Sequence, residues 1–246
     1  MKAEAALFKE MITEENSPLH FTAYGKKFSA LIHEGRLQIL LHSGKRQELQ
    51  SDIILPGKAL TEGTEIALSP SLPDRPLSLD PSRSIYVLAG ATVSFFVPIP
   101  LWATLTVNGL PVKDIILKEF SKTWIGEVGQ NGDLGYTHHQ EPMKDDSTLL
   151  TDAAYMEIVI ENKSRISFDV KRLILYVPFT TLYKNEAGYL FTDRQKFIIS
   201  PNNKQDIKLM RPPLAGIETV ARPRRKASKD YFTRFATFLK KVTVMS

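Results

Sequence analysis

The stretch Ser84 to Val112 reads SIYVLAGATVSFFVPIPLWATLTVNGLPV and carries no charged residue. A run of this length can cross a bilayer as a helix, so the fold turns on how it is read. Pro98 and Pro100 interrupt it and Gly90 sits early in it. Val, Thr, Ile and Phe dominate, and these favour strands buried on both faces. Asn108-Gly109 is the residue pair best suited to a tight hairpin turn, because both positions tolerate positive φ. Its flanks, Leu101 to Val107 and Leu110 to Leu117, are apolar and of similar length. The stretch therefore reads as core β-structure closed by a hairpin at Asn108-Gly109.

Working outward from it, period-two patterns continue on both sides. His20 to Leu49 alternates between apolar and polar residues, punctuated by Gly25, Gly35 and Gly44, with hairpin turns expected at Glu34-Gly35 and Ser43-Gly44. Residues 70–83 hold four prolines and predict an extended surface connection. Residues 126–151 are Gly-rich, then polar, and read as one long loop between two β blocks. Tyr155 to Tyr183 predicts two or three strands with a turn at Asn162. Within it Tyr176 to Phe179 (YVPF) echoes Phe96 to Ile99 (FVPI), but a match by residue type over four positions reads better as chance than as an internal repeat. The segment 211–225 reads as a linker. Beyond it Ser228 is placed to cap a helix whose apolar stripe is Tyr231, Phe232, Phe235, Phe238, Leu239 and Val242. At the other end, Ala5, Ala6, Leu7, Phe8, Met11 and Ile12 suggest a short amphipathic helix, and the charges among them break up any signal-peptide core.

The expected fold class is mainly β: a β-sandwich or jelly-roll-like body with a C-terminal amphipathic helix. Residues 1–16 form a short N-terminal segment and 17–220 the body, in one or two β blocks. Residues 221–246 form a basic linker and the helix.

The 246 residues are 43 % hydrophobic and 24 % charged, the balance of a globular protein. With no cysteine, disulfides, thiolate metal sites and cysteine nucleophiles are excluded, and a cytoplasmic location is expected. The net charge of +5 is unevenly spread. From Ala221 onward eight basic residues face one acid, a local balance of +7 that leaves −2 for residues 1–220. Arg222, Arg224, Arg225, Lys226, Lys240 and Lys241 are the candidate contacts for an anionic partner.

Catalytic signatures are missing from the sequence. It has no G-x-S-x-G elbow and no phosphate-binding G-x-x-x-x-G-K loop. His138 and His139, with Glu141, Asp145 and Asp146 nearby, have metal-ligating chemistry, but neighbouring strand residues point to opposite faces, so a solvated polar loop is the simpler reading. His20, His33 and His42 fall on separate strands without the His-x-His spacing of a strand-borne metal site. No metal, cofactor or catalytic residue is assigned. Trp102, Trp124, Tyr136 and Tyr155 are the aromatics available for stacking on a ligand such as a sugar. Within that set Trp124 and Tyr136, joined by His138, mark the candidate ligand-binding loop.

The residues Ser121-Lys122-Thr123-Trp124, Gly126, Leu134, Gly135 and Tyr136, preceded by Pro98 to Gly109, resemble an uncharacterised, mostly archaeal prokaryotic family, domain of unknown function 432. That family has no assigned activity, so the resemblance implies no catalytic residues. It implies that the region around Trp124 is a recurring structural feature. The expected function is a non-enzymatic binding or scaffolding protein whose basic C-terminal helix contacts an anionic membrane surface or a partner protein. The alternative is an enzyme or carbohydrate-binding β-sandwich with its site near residues 121–141. Sequence-specific nucleic-acid binding is not expected, and homo-oligomerisation through the helix is compatible with the pattern.

Overall fold

The computed structural model describes residues 8–11, 18–23, 26–43, 46–53, 63–126, 132–139, 142–143, 149, 152–202 and 204–226. These form two compact units. The first joins the residues up to Ser71 with Leu101–Lys118, and the second joins Leu72–Pro100 with the residues from Glu119 onward. The chain thus changes unit between Pro100 and Leu101, inside the uncharged run, and the described residues of the 126–151 segment belong to the second unit.

The first unit begins with β1 (Phe8–Met11), β2 (Leu19–Ala23), β3 (Lys26–His33), β4 (Arg36–Ser43), β5 (Arg46–Ile53) and β6 (Glu65–Ser71). The second then takes β7 (Leu77–Leu79), β8 (Ile85–Val87) and β9 (Thr92–Pro100). The chain returns for β10 (Trp102–Val107) and β11 (Leu110–Ile115). The remaining strands belong to the second unit: β12 (Ser121–Ile125), β13 (Asp133–His138), β14 (Ala153–Asn162), β15 (Phe168–Val170), β16 (Leu173–Leu175), β17 (Leu182–Lys184), β18 (Leu190–Thr192), β19 (Arg194–Ile199), β20 (Gln205–Met210) and β21 (Glu218–Ala221). A single 3₁₀ turn, Val177–Phe179, is the one helical element among the described residues. No helix there is long and apolar enough to cross a membrane.

In the first unit one sheet runs β1-β6-β10-β11 and the other β2-β3-β4-β5, all antiparallel. The expected hairpins form. Asn108 (φ 49°) and Gly109 (φ 75°) turn β10 into β11, and Glu34 (φ 49°) and Gly35 (φ 69°) turn β3 into β4. Ser43 pairs with Arg46 across the β4–β5 connection. Asn108 also fastens its hairpin to β6, its Oδ1 accepting the Glu65 N–H at 2.9 Å. Period-two burial places Ile66 opposite Val107 and Leu68 opposite Leu105 in one sheet. In the other it places Ala30 opposite Ile39 and Ile32 opposite Leu37. Each of the Ile, Leu and Val side chains among these contributes about 1.5–3 kcal/mol by leaving water.

The second unit contains the sheet β20-β19-β14-β18-β17-β21 with β9 on the other side of β14, the sheet β12-β13-β7-β16, and the pair β8–β15. β14 lies parallel to β18 and β19, and β13 parallel to β7, so the body mixes parallel with antiparallel pairing. Pro98 and Pro100 fit in β9 because its one long partner is β14, and an edge strand needs no donor on its far side. The buried Asn162 ends β14. Its amide donates to the carbonyls of Ile166 (2.7 Å) and Leu88 (3.0 Å), and its Oδ1 accepts from the Ser164 N–H (3.0 Å) and hydroxyl (2.7 Å).

Several expectations change. The proline-rich 70–83 segment is not a surface connection. Leu72, Pro73 and Pro76 are buried, and Leu77–Leu79 is an internal strand. Within the supposed loop 126–151, Asp133–His138 is β13. The linker 211–225 contains β21, paired with β17. The YVPF and FVPI echo is, as read, no structural repeat: the first forms the 3₁₀ turn and the second lies in β9. Phe8–Met11, read as part of a helix, pairs with β6 as a strand. The C-terminal helix expected from Ser228 onward lies outside the described residues.

Candidate functional site

The β12–β13 hairpin sets Lys122 opposite Tyr136 and Trp124 opposite Leu134. Directly opposed residues share a face, and alternation adds His138 to it. Along this face burial falls from one end to the other. His138 is enclosed, Tyr136 nearly so, and Trp124 is 45 % exposed.

The enclosed end is held by specific contacts. His138 Nε2 lies 2.8 Å from the Pro98 carbonyl; because a carbonyl only accepts, Nε2 carries the proton. Phe120 stacks on Tyr136 at 5.4 Å and meets His138 edge-on at 6.0 Å. The Tyr136 hydroxyl donates to Asp74 Oδ1 at 2.8 Å, and its backbone N–H donates to the Pro76 carbonyl at 3.0 Å. Burial, then the hydrogen bond and negative charge of Asp74, raise the phenol pKa above its usual 10.0. Asp74 also lies 3.7 Å from the Arg75 guanidinium.

The exposed end depends on a glycine. A Cβ on Gly132 would fall 2.0 Å from Trp124 Nε1 and 2.4 Å from Cε2. The indole is therefore laid against bare backbone, with nearly half its surface open to solvent. On the opposite face of the hairpin Gly135 is also closely approached: a Cβ there would meet Ile125 Cδ1 at 2.3 Å and the Pro76 carbonyl at 2.8 Å.

The basic stretch reaches this same hairpin. Arg224 Nε donates to the Leu72 carbonyl at 2.6 Å, and the Arg225 N–H to the Pro178 carbonyl at 3.0 Å. Arg225 Nη1 lies 3.3 Å from Asp133 Oδ2, and the other Asp133 oxygen accepts the Leu134 N–H at 2.8 Å. Contacts and short chain links thus close a circuit: Arg224, Leu72, Asp74, Tyr136, Lys122, Trp124, Gly132, Asp133, Arg225. Lys122, Arg222 and Lys226 are exposed and have no ion pair among the described residues. Around the circuit, six cations (Arg75, Lys122, Arg222, Arg224, Arg225, Lys226) outnumber two carboxylates (Asp74, Asp133).

The structure therefore joins two sets of candidates that the sequence keeps a hundred residues apart. Arg225 is spent on an internal contact, and Arg222 and Lys226 are the outward cations of the stretch. Lys240 and Lys241 lie outside the described residues. Among the ligand candidates His138 is sealed in, Tyr136 offers little surface, and Trp124 is the accessible ring. Trp102 and Tyr155 are buried.

Asp74, Arg75, Phe120 and Lys122 were not singled out as site residues in the sequence. The faint signal was an Asp-Arg pair locked between Pro73 and Pro76.

Of the remaining candidates, the His20 and His42 rings meet edge-on at 5.9 Å, and His42 Nε2 lies 2.9 Å from Ser29 Oγ. His33 sits at the strand's other end, opposite Arg36. No three His, Cys, Asp or Glu side chains gather as a metal site among the described residues. His139 is exposed, and Glu141, Asp145 and Asp146 lie outside the described residues. Glu161, on the exposed side of β14, takes ion pairs from Lys196 (2.8 Å) and Lys163 (3.2 Å), which hold its carboxyl below the ordinary value.

The family model described as "Protein of unknown function (DUF432)" matches residues 18–241. No curated protein and no solved structure matches the chain. The match spans both units and includes the whole circuit around Trp124, so the chain belongs to the protein family of unknown function DUF432.

Proposed function

We propose that the chain is a non-catalytic binding protein whose contact face for anionic partners is the hairpin face of Trp124 and Lys122 together with the basic stretch Arg222 to Lys226. The observation that carries this reading is the Arg225–Asp133 contact at 3.3 Å. It fastens the most basic part of the described chain to the strand beside the exposed indole. Cations held on a folded surface attract anions at shorter range and with less ordering cost than cations on a free tail. The expected C-terminal helix, with Lys240 and Lys241, adds further cations to this contact in the proposal, at an anionic membrane surface or on a partner protein on the cytoplasmic side. The sandwich reading of the body belongs to it too, supported in the first unit by two four-stranded sheets each with one buried face.

The test is binding of the full chain to long-chain polyphosphate, an anion without rings or lipid, measured by calorimetry across a salt series. Binding that weakens with salt and is lost in Lys122→Glu/Arg222→Glu/Lys226→Glu supports the reading. Binding unchanged in that variant, or none at low salt, refutes it. The exposed ring alone also suits a neutral sugar. A glycan-array signal abolished by Trp124→Ala and indifferent to salt would favour that alternative.

A further inference from the structure

The circuit holds more than charge. Polyanion binding by charge alone needs no flat aromatic surface, yet Trp124 is seated against Gly132 with 45 % of its surface open, next to exposed Lys122. A glycine there lets the ring lie against backbone, which fixes its plane and leaves its outer side free. The other tryptophan, Trp102, is buried, so this exposure is particular to the hairpin. A fixed ring beside the exposed cation Lys122, on a hairpin that also anchors the basic stretch through Asp133, matches a ligand that alternates flat groups with negative charges.

Resting on the anion-binding reading above, we infer that this face binds single-stranded nucleic acid without sequence preference. A base stacks on Trp124, and Lys122, Arg222 and Lys226 take the neighbouring phosphates. Stacking tolerates any base, because every base has a π-face. A duplex buries those faces within its own stack and does not offer them to an indole. The two carboxylates of the circuit do not oppose this. Asp133 is engaged by Arg225, and Asp74 by the Tyr136 hydroxyl beside Arg75.

Three phosphate contacts on a single strand predict that log K falls with log salt at a slope of about −2. One stacked base adds roughly tenfold or more in affinity.

The experiment titrates the full chain with three probes: an oligo(dT), an abasic phosphodiester oligomer of the same length, and polyphosphate. Tryptophan emission and anisotropy are read together. The expected result is at least tenfold tighter binding of oligo(dT) than of the abasic oligomer. Emission should be quenched in the wild type but not in Trp124→Phe, and the salt slope should flatten in Lys122→Ala/Arg222→Ala. Lys122 and Arg222 are exposed, so this second variant is readable even if the Trp124 substitution perturbs the hairpin. Equal affinity for the oligo(dT) and abasic probes, without quenching, overturns the inference and leaves the anion-binding reading standing. Failure of all three probes overturns both. Binding to anionic vesicles with none to the oligomers overturns it in favour of a lipid surface.

Discussion

Replacing Gly132 by alanine isolates the device on which the site rests. The new methyl would fall 2.0 Å from Trp124 Nε1 and 2.7 Å from Cζ2, distances no pair of heavy atoms tolerates, so the ring must leave its seat. Trp124 is 45 % exposed. A fully enclosed indole buries roughly 200 Å², so its covered part is about 110 Å². At ~25 cal/mol per Å², complete displacement costs about 2.7 kcal/mol. A ring that swings aside and settles on neighbouring surface keeps about half of that. Gly132 does not use the left-handed backbone region, so alanine also restricts the unfolded chain and offsets about 0.4–1 kcal/mol. The net expectation is a loss of about 0.5–1 kcal/mol, with a red shift in emission and easier iodide quenching. Both spectral changes report Trp124, because Trp102 is buried. Urea denaturation with tryptophan fluorescence measures everything in one experiment. An unchanged emission maximum together with a stability gain, the ordinary result of Gly→Ala at an unconstrained site, would refute the reasoning.

Other perturbations probe the framework around the site. Asn162→Ala strips the hydrogen bonds that join the end of β14 to Leu88, Ser164 and Ile166, and should cost about 3 kcal/mol in urea denaturation. Asn162→Asp should be no milder, because its carboxylate would face two carbonyl oxygens; a loss below about 1 kcal/mol for either would contradict this. The Arg225–Asp133 pair is partly solvated, with side chains 38 % and 29 % exposed, so a double-mutant cycle with Arg225→Ala and Asp133→Asn should give a coupling of only about 0.5–1 kcal/mol. Arg225→Ala should also speed tryptic cleavage after Arg224 and Lys226, and unchanged cleavage would mean that the contact does not hold the stretch down. The raised phenol pKa of Tyr136 means that the folded state prefers the neutral form. Its share of stability is intact below pH 10.0 and is lost as pH rises through the higher folded value. Tyr136→Phe should flatten part of the decline above pH 10.0 in alkaline denaturation. Tyr183, also raised by burial, retains the rest.

What was legible in the sequence follows from how local each signal is. The hairpins at Asn108-Gly109 and Glu34-Gly35 depend on two residues with positive φ between matched strands, and two residues suffice to recognise them. Strand character in the uncharged run was legible because β-branched residues and prolines argue in the same direction. The change of unit at Pro100–Leu101 was not. Both sides are equally apolar, and nothing local records that β9 pairs with β14 while β10 pairs with β6. β7 was missed for a similar reason. Prolines at 70, 73, 76 and 81 read as a breaker series, yet between Pro76 and Pro81 Leu77–Leu79 keeps enough free backbone to pair on both sides with β13 and β16. Arg222 to Lys226 reads as a solvated linker because charge alone does not reveal a partner such as Asp133, 92 positions away.

The glycines at 126, 132 and 135 show how one residue type carries opposite meanings that only packing separates. In the sequence they belong to a Gly-rich segment that reads as one long loop. Gly126, at φ 96°, does use backbone freedom, as it leaves β12. Gly132 and Gly135 do not use it. They are small because something else occupies the place of their side chain: the Trp124 indole in one case, Ile125 and the Pro76 carbonyl in the other. A side chain at Gly135 would push β13 away from the Pro76 carbonyl that accepts the Tyr136 N–H. It would thereby loosen the parallel pairing with β7 on which the enclosed end of the site depends. A side chain at Gly132 would leave that pairing intact and move only the indole. Gly135→Ala should therefore lower stability without selectively exposing Trp124, whereas Gly132→Ala should free the ring at little cost to the fold. The two substitutions, three residues apart, separate the hairpin's structural glycine from the one that shapes the exposed surface.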